Sequence, residues 1–292
     1  MTRPAGLYLD HVLIGVRNLE SSAGTFASRL GFTLTPEGVH PGRGTHNRLA
    51  VFGTEYMELI AVRDPDEGVF RPSLNAFLES REGLYMFALG TTNIDGAVRE
   101  LKSRGVAVPD PVPGAREAVG GAPGYTWRAA TVGRDVTPGS ETFLIQHDTA
   151  IGERYTVPAN PAEHPNGTLG VHNLTLAVRD VQAAAAAWTG WLGLEIVASA
   201  TDDGQTARVR LALANCYLDL VAPTRPGALS EFLDRHGEAP SELGLEVADL
   251  DDTAELLRRW VPVAVKSGIG GTVALTVEPE QASGMRLSFR QQ

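Results

Sequence analysis

Two hydrophobic periods alternate along this chain, and the order in which they follow one another is repeated. In "DHVLIGVRNLESSAGTFASRLGF", Val12, Ile14 and Val16 fall on one side of a period-two stretch and His11, Leu13 and Gly15 on the other, as in a strand. Asn18 then occupies a helix-capping position, and Leu19, Ala23, Phe26 and Leu30 recur at helical spacing. Gly31 supplies the left-handed residue that ends such a helix. The stretch reads strand, cap, helix, stop.

The same order returns three times. "HNLTLAVRDVQAAAAAWTGWLGL" places Asp180 as the cap and Gly193 as the stop, 13 positions apart as are Asn18 and Gly31. "MFALGTTNIDGAVRELKSRGV" carries Asn93 and Gly105, and "ELGLEVADLDDTAELLRRWV" carries Asp249 without a closing glycine. Strand-like runs follow each helix, "THNRLAVFG" and "EYMELIAV" in the first unit and "TARVRLALA" and "CYLDLVAP" in the third. The repeated unit is therefore βαβββ. Four such units predict an α+β fold, paired into two open barrel-like domains with helices outside. The first domain is expected over 1–155, with modules at 8–62 and 84–148. The Pro-, Asn- and Gly-rich 156–168 is expected as a linker and 169–292 as the second domain.

Composition narrows the partners. With 35 acidic and 25 basic residues the net charge is −10, and the basic residues form no stripe, so neither nucleic acid nor an anionic membrane is an expected partner. No apolar run approaches a membrane span, and the first residues run into a strand without room for a signal segment, which sets a cytoplasmic expectation. The one cysteine, Cys216, lies in an apolar strand and reads as a packed thiol. Neither a phosphate-binding glycine loop nor a GxSxG nucleophile turn is present.

The paired βαβββ units, opening on a histidine and closing on a strand with a glutamate, resemble the vicinal oxygen chelate superfamily of glyoxalases, extradiol dioxygenases and bleomycin resistance proteins. More narrowly, "LDHVLIGVRNLE", "HPGRGTHNRLAVFG", "YMELIAV" and "HPNG", in that order, resemble the glyoxalase-like domain family. The resemblance implies a divalent metal (Fe, Zn, Mn or Ni) held by side chains from the first and last strands of the modules. It also implies that the metal chelates adjacent oxygens of a small substrate.

Carried over residue by residue, the resemblance makes His11 and Glu58 metal ligands, and both are of types that bind divalent cations. In the second module the same count gives Met86 and Gln146, a soft thioether and a neutral carbonyl, which departs from the pattern. His46, on the third strand, is the candidate for the missing ligand or an acid/base, because barrel strands turn alternate residues inward. Gln146 is the candidate for orienting substrate or water. The alternative is that His11 is a core histidine satisfied by a backbone carbonyl. In the second domain the corresponding positions hold Asn173, Asp219, Glu242 and Ser288, while His172, one step away, is expected on the opposite face. That domain reads as degenerate.

The remaining pocket candidates are Met86, Asn47 and Arg48, the last two in the donor-rich "HPGRGTHNR", with Trp127 and Arg128 in "GYTWRAATVG". Two functions stay open. One is a metal-assisted lyase, isomerase or dioxygenase acting on a small, oxygen-rich anionic metabolite in the first barrel. The other is a non-catalytic small-molecule binding protein of the bleomycin-resistance type. A homodimer is compatible with either.

Overall fold

The computed structural model describes residues 6–67, 72–119, 124–154, 163–202, 204–267 and 273–292. All four repeats form. The first is β1 (Tyr8–Gly15), α1 (Leu19–Ser28), β2 (Gly38–His40), β3 (Thr45–Val51) and β4 (Tyr56–Val62). After a connecting helix, α2 (Pro72–Ser80), the second is β5 (Gly83–Gly90), α3 (Ile94–Ser103), β6 (Val112–Ala118), β7 (Tyr125–Val132) and β8 (Thr142–His147). A short α4 (Ile151–Arg154) precedes the third, β9 (Thr168–Ala177), α5 (Val181–Leu192), β10 (Glu195–Asp202), β11 (Thr206–Ala212) and β12 (Tyr217–Pro223). Helix α6 (Ala228–His236) leads to the fourth, β13 (Ala239–Val247), α7 (Leu250–Arg258), β14 (Ala264–Ser267), β15 (Val273–Val277) and β16 (Arg286–Gln291). The expected caps are made: Asn18, Asn93, Asp180 and Asp249 each accept backbone N–H groups in the first turn of their helix.

Each half forms one eight-stranded sheet. In the first, β1 runs parallel to β4 and antiparallel to β5, which runs parallel to β8, and the order β1-β4-β3-β2-β6-β7-β8-β5 closes on itself. Closure depends on the β2–β6 pairing, where Arg116 crosses so near Gly38 that a Cβ there would lie 2.1 Å from the guanidinium. The second half repeats the order as β10-β11-β12-β9-β13-β16-β15-β14 but stays open. Its two end strands therefore form edges, and they carry exposed Ile196, Val197 and Val265.

The core lies between the halves as well as within them. Val12, Ile14 and Val16, with the inner faces of α1, α3, α5 and α7, join one buried apolar cluster that includes residues of both sheets. Phe87 stacks on Trp188 at 6.0 Å and Phe32 on Phe289 at 6.5 Å. The expected linker lies largely in 155–162, outside the described residues, but its end is anchored. His164 is wedged between Phe32 and Phe52, donates through Nε2 to the Val51 carbonyl, and accepts the Thr33 N–H at Nδ1. Cys216 is buried, and burial pushes its thiol pKa up, so it is the packed thiol expected. Among the described residues no helix is long and apolar enough to cross a membrane.

Candidate active site

The interior of the first barrel holds a cavity of about 280 Å³. Strand alternation puts His11 and Leu13 of β1, Asn47 of β3, Tyr56 and Glu58 of β4, and Met86 of β5 on its wall, facing Tyr125, Trp127, Phe143 and Ile145. The lining is apolar and aromatic with a small polar floor.

That floor is built around Glu58, which is 4% exposed. Asn47 Nδ2 donates to Glu58 Oε1 at 2.8 Å, and Arg116 Nε donates to Asn47 Oδ1 at 2.8 Å. Because a guanidinium only donates, Arg116 fixes the Asn47 amide with its nitrogen toward Glu58. His11 Nε2 stands 3.5 Å from Glu58 Oε2, and His40 Nε2 stands 3.7 Å from Oε1. The carboxylate is bracketed by two imidazoles.

Behind His11, Asp10 is fully buried and lies 2.7 Å from Nδ1, and it also takes Nε2 of His147 at 3.1 Å. Burial alone would raise the Asp10 pKa, but the hydrogen bonds from His11 and His147 outweigh it and hold the carboxyl well below its usual range. An ionised carboxylate only accepts, so His11 carries a proton on Nδ1 and turns Nε2 toward Glu58. Asn47 Nδ2 approaches His40 Nε2 at 3.2 Å while His40 Nδ1 meets Thr45 Oγ1 at 2.9 Å, which assigns His40 the same tautomer. Tyr56 stacks on the His11 ring at 4.5 Å with an interplanar angle of 9°, fixing its plane. Burial pushes the Tyr125 phenol far above its ordinary pKa, and the charges of Glu58 and Asp10 add to the rise, so it stays a neutral donor. Arg43 also lines the cavity, its guanidinium 5.9 Å from the Trp127 ring.

Among the sequence candidates, the fold brings His11, Glu58, Asn47, Met86 and Trp127 to one cavity and leaves four outside it. His46 points outward from β3 and pairs with Glu37 at 2.7 Å. Arg48, on the same side, is held by Glu20 of α1. Arg128 is bound to Asp95 of α3, and Gln146 accepts the Ile94 N–H at the start of α3. One register accounts for this. Leu49 of β3 faces Glu58 across the ladder, so Asn47 shares the Glu58 side and His46 and Arg48 cannot. Likewise Leu13 pairs with Glu58, and its counterpart Ala88 pairs with Phe143, so Phe143, not Gln146, occupies the position matching Glu58. Sequence reasoning missed His40 as an inward residue. Its signal was the alternation running back across the hairpin from Asn47 through Thr45.

Among the described residues no three or more His, Cys, Asp or Glu side chains are grouped so that they could hold a metal ion as they stand. The residue types on the floor are nonetheless those that bind divalent cations, two imidazoles and one carboxylate, with Asp10 orienting His11 from behind. Among the described residues the second sheet offers no counterpart. Asp219, matching Glu58, is clamped by Arg210 at 2.7 Å and Arg208 at 3.0 Å, and Glu242 takes the Ser288 hydroxyl at 2.7 Å. His172, expected on the opposite face, instead meets Glu246 at 2.9 Å and lies near Arg210 and Tyr217, because a bulge skips it between Val171 and Asn173.

A model of the glyoxalase-like domain family matches residues 9–192, and a model of the glyoxalase/bleomycin resistance protein/dioxygenase superfamily matches residues 172–272. No curated protein matches the chain. Among solved structures, a mutant of 4-hydroxymandelate synthase from Streptomyces coelicolor superposes with a TM-score of 0.71 at 14% identity, covering 99% of this chain and 93% of that one. A hypothetical protein from Staphylococcus aureus superposes with a TM-score of 0.68 at 15% identity, covering 98% of this chain and all of the other. At such identities these likenesses are of fold. The four βαβββ modules, the paired sheets and the family match over most of the chain place this protein in the glyoxalase-like domain family of the vicinal oxygen chelate superfamily.

Proposed function

We propose that the first barrel is the active site of a divalent-metal-dependent lyase, isomerase or oxygenase acting on a small, oxygen-rich, anionic molecule. One observation carries this reading: a buried carboxylate, Glu58, lies between the Nε2 atoms of His11 and His40, with Asp10 orienting His11. His11, His40 and Glu58 would hold the cation, which when bound polarises adjacent substrate oxygens and stabilises a developing oxyanion. Asn47, fixed by Arg116, keeps the Glu58 carboxylate in one orientation. Arg43 brings positive charge to the cavity wall, and Tyr125 offers a phenol that stays protonated at neutral pH. The aromatic walls exclude water from the reacting atoms and strengthen each of these interactions.

Elemental analysis and proton–deuterium exchange at carbons next to a carbonyl, followed by NMR on a panel of small keto and hydroxy acids, test the proposal together. Near-stoichiometric metal and metal-dependent exchange are expected in the native chain. Glu58→Gln is expected to lose exchange by at least ~100-fold, and metal-free protein with no exchange on any panel member after loading would overturn the reading. A second reading, metal-free ligand binding, rests on Met86 and Phe143, which fill with apolar side chains the two positions matching His11 and Glu58. Ligand binding that persists in EDTA without turnover would select it.

A further inference from the structure

A second cavity, of about 520 Å³, opens where α2 and β5 of the first half meet α6 and β13 of the second. Ser73, Tyr85, Met86 and Glu141 line both this cavity and the barrel pocket, so the two adjoin across these side chains. Its distinguishing chemistry is cationic. Arg81, Arg134, Arg235 and His236 converge on it, against the single carboxylate of Glu141.

None of the three arginines is ion-paired among the described residues. The Arg81 guanidinium lies over Phe77 at 4.9 Å and near Phe232 at 5.6 Å, so it is held between rings from both halves with no carboxylate partner. Arg134 donates to the Glu238 carbonyl at 2.8 Å. Arg134 and Arg235 are exposed and Arg81 is half-buried. Burial, with Arg134 beside it, pushes Arg81 down to about 10, and burial, Arg81 and Arg235 push His236 below its ordinary value. Three guanidinium groups gathered against one carboxylate cost free energy that an anion would recover. In a chain of net charge −10 that concentration is local, not a reflection of overall composition.

We propose that this cleft binds the oxyanion end, phosphoryl or carboxylate, of an elongated substrate whose reacting end occupies the first barrel. The proposal extends the reading of the barrel as an active site and gives the open second half a role, since Arg235 and His236 come from it. Planar guanidinium groups suit both oxyanions because they donate paired N–H groups to them.

Isothermal titration of the full chain at constant ionic strength, with inorganic phosphate and separately with succinate, tests it without any assay of turnover. Saturable one-to-one binding of one of them is expected, and which one binds identifies the oxyanion. Binding should weaken at least tenfold in the Arg134→Gln/Arg235→Gln variant, whose exposed positions leave the core intact, and in Arg81→Gln. It should be unchanged in Glu58→Gln, so a failure of the barrel reading would leave this result standing. Absence of saturable binding of either anion, equal binding in the arginine variants, or a comparable loss in Glu58→Gln would overturn the proposal.

Discussion

His164 shows how one residue makes the anchoring of the segment between the halves depend on pH. As a neutral ring it accepts from Thr33 N–H and donates to the Val51 carbonyl, and protonation would remove the acceptor. Burial depresses its pKa. The folded state therefore favours the neutral ring, while the unfolded chain takes up a proton as pH falls through about 6.5. Stability is full above that pH and declines below it, by at most about 1.4 kcal/mol per pH unit, until the folded ring titrates too. Chemical denaturation at pH 7.5 and pH 5.5 should show this decline, and His164→Gln should flatten the difference. A decline of equal size in the variant would remove His164 as its cause. "HPNG" was visible in the sequence, but its partners Thr33 and Val51, more than a hundred residues upstream, were not.

At the scale of elements, the strand carrying the site departs from simple alternation at one point. Between Leu9 and His11 the β1–β5 register shifts, so Asp10 is skipped and turns inward beside His11 instead of outward. The same device turns His172 in the second half. The pattern along "YLDHVLIG" showed which face His11 takes, but a bulge inserts a residue without any change of composition to reveal it. Asp10→Asn keeps the shape but replaces an obligate acceptor by an amide that can donate, releasing the His11 tautomer. Metal affinity is expected to fall roughly 10- to 100-fold with the melting transition still cooperative. Titration with a metal chelator measures this, and an unchanged affinity would deny Asp10 its orienting role. Strand β3 shows the opposite case. There the period was legible, and the ladder register to Glu58 decided that Asn47 and not His46 enters the barrel.

At the scale of the molecule, the two sheets share one apolar cluster, with Phe87 on Trp188 and Phe32 on Phe289 across the boundary. Cutting the chain at residue 155 would expose those rings to water, at about 25 cal/mol per Å² of apolar surface. The fragment 1–155 is therefore expected to lose cooperative melting and fixed near-UV circular dichroism, and a sharp, native-like transition in it would show the barrel to be self-sufficient. Sequence alone determined the four βαβββ modules, their caps and the placing of His11 and Glu58, because strand and helix periods and capping residues act within a few residues of one another. Tertiary structure alone decided that the first sheet closes while the second stays open, that His40 joins Glu58 while His46 leaves it, and that Arg81 and Arg235 line one cleft. Those outcomes depend on ladder register, a bulge and the docking of one half on the other, which join residues too far apart in the chain for any local pattern to record.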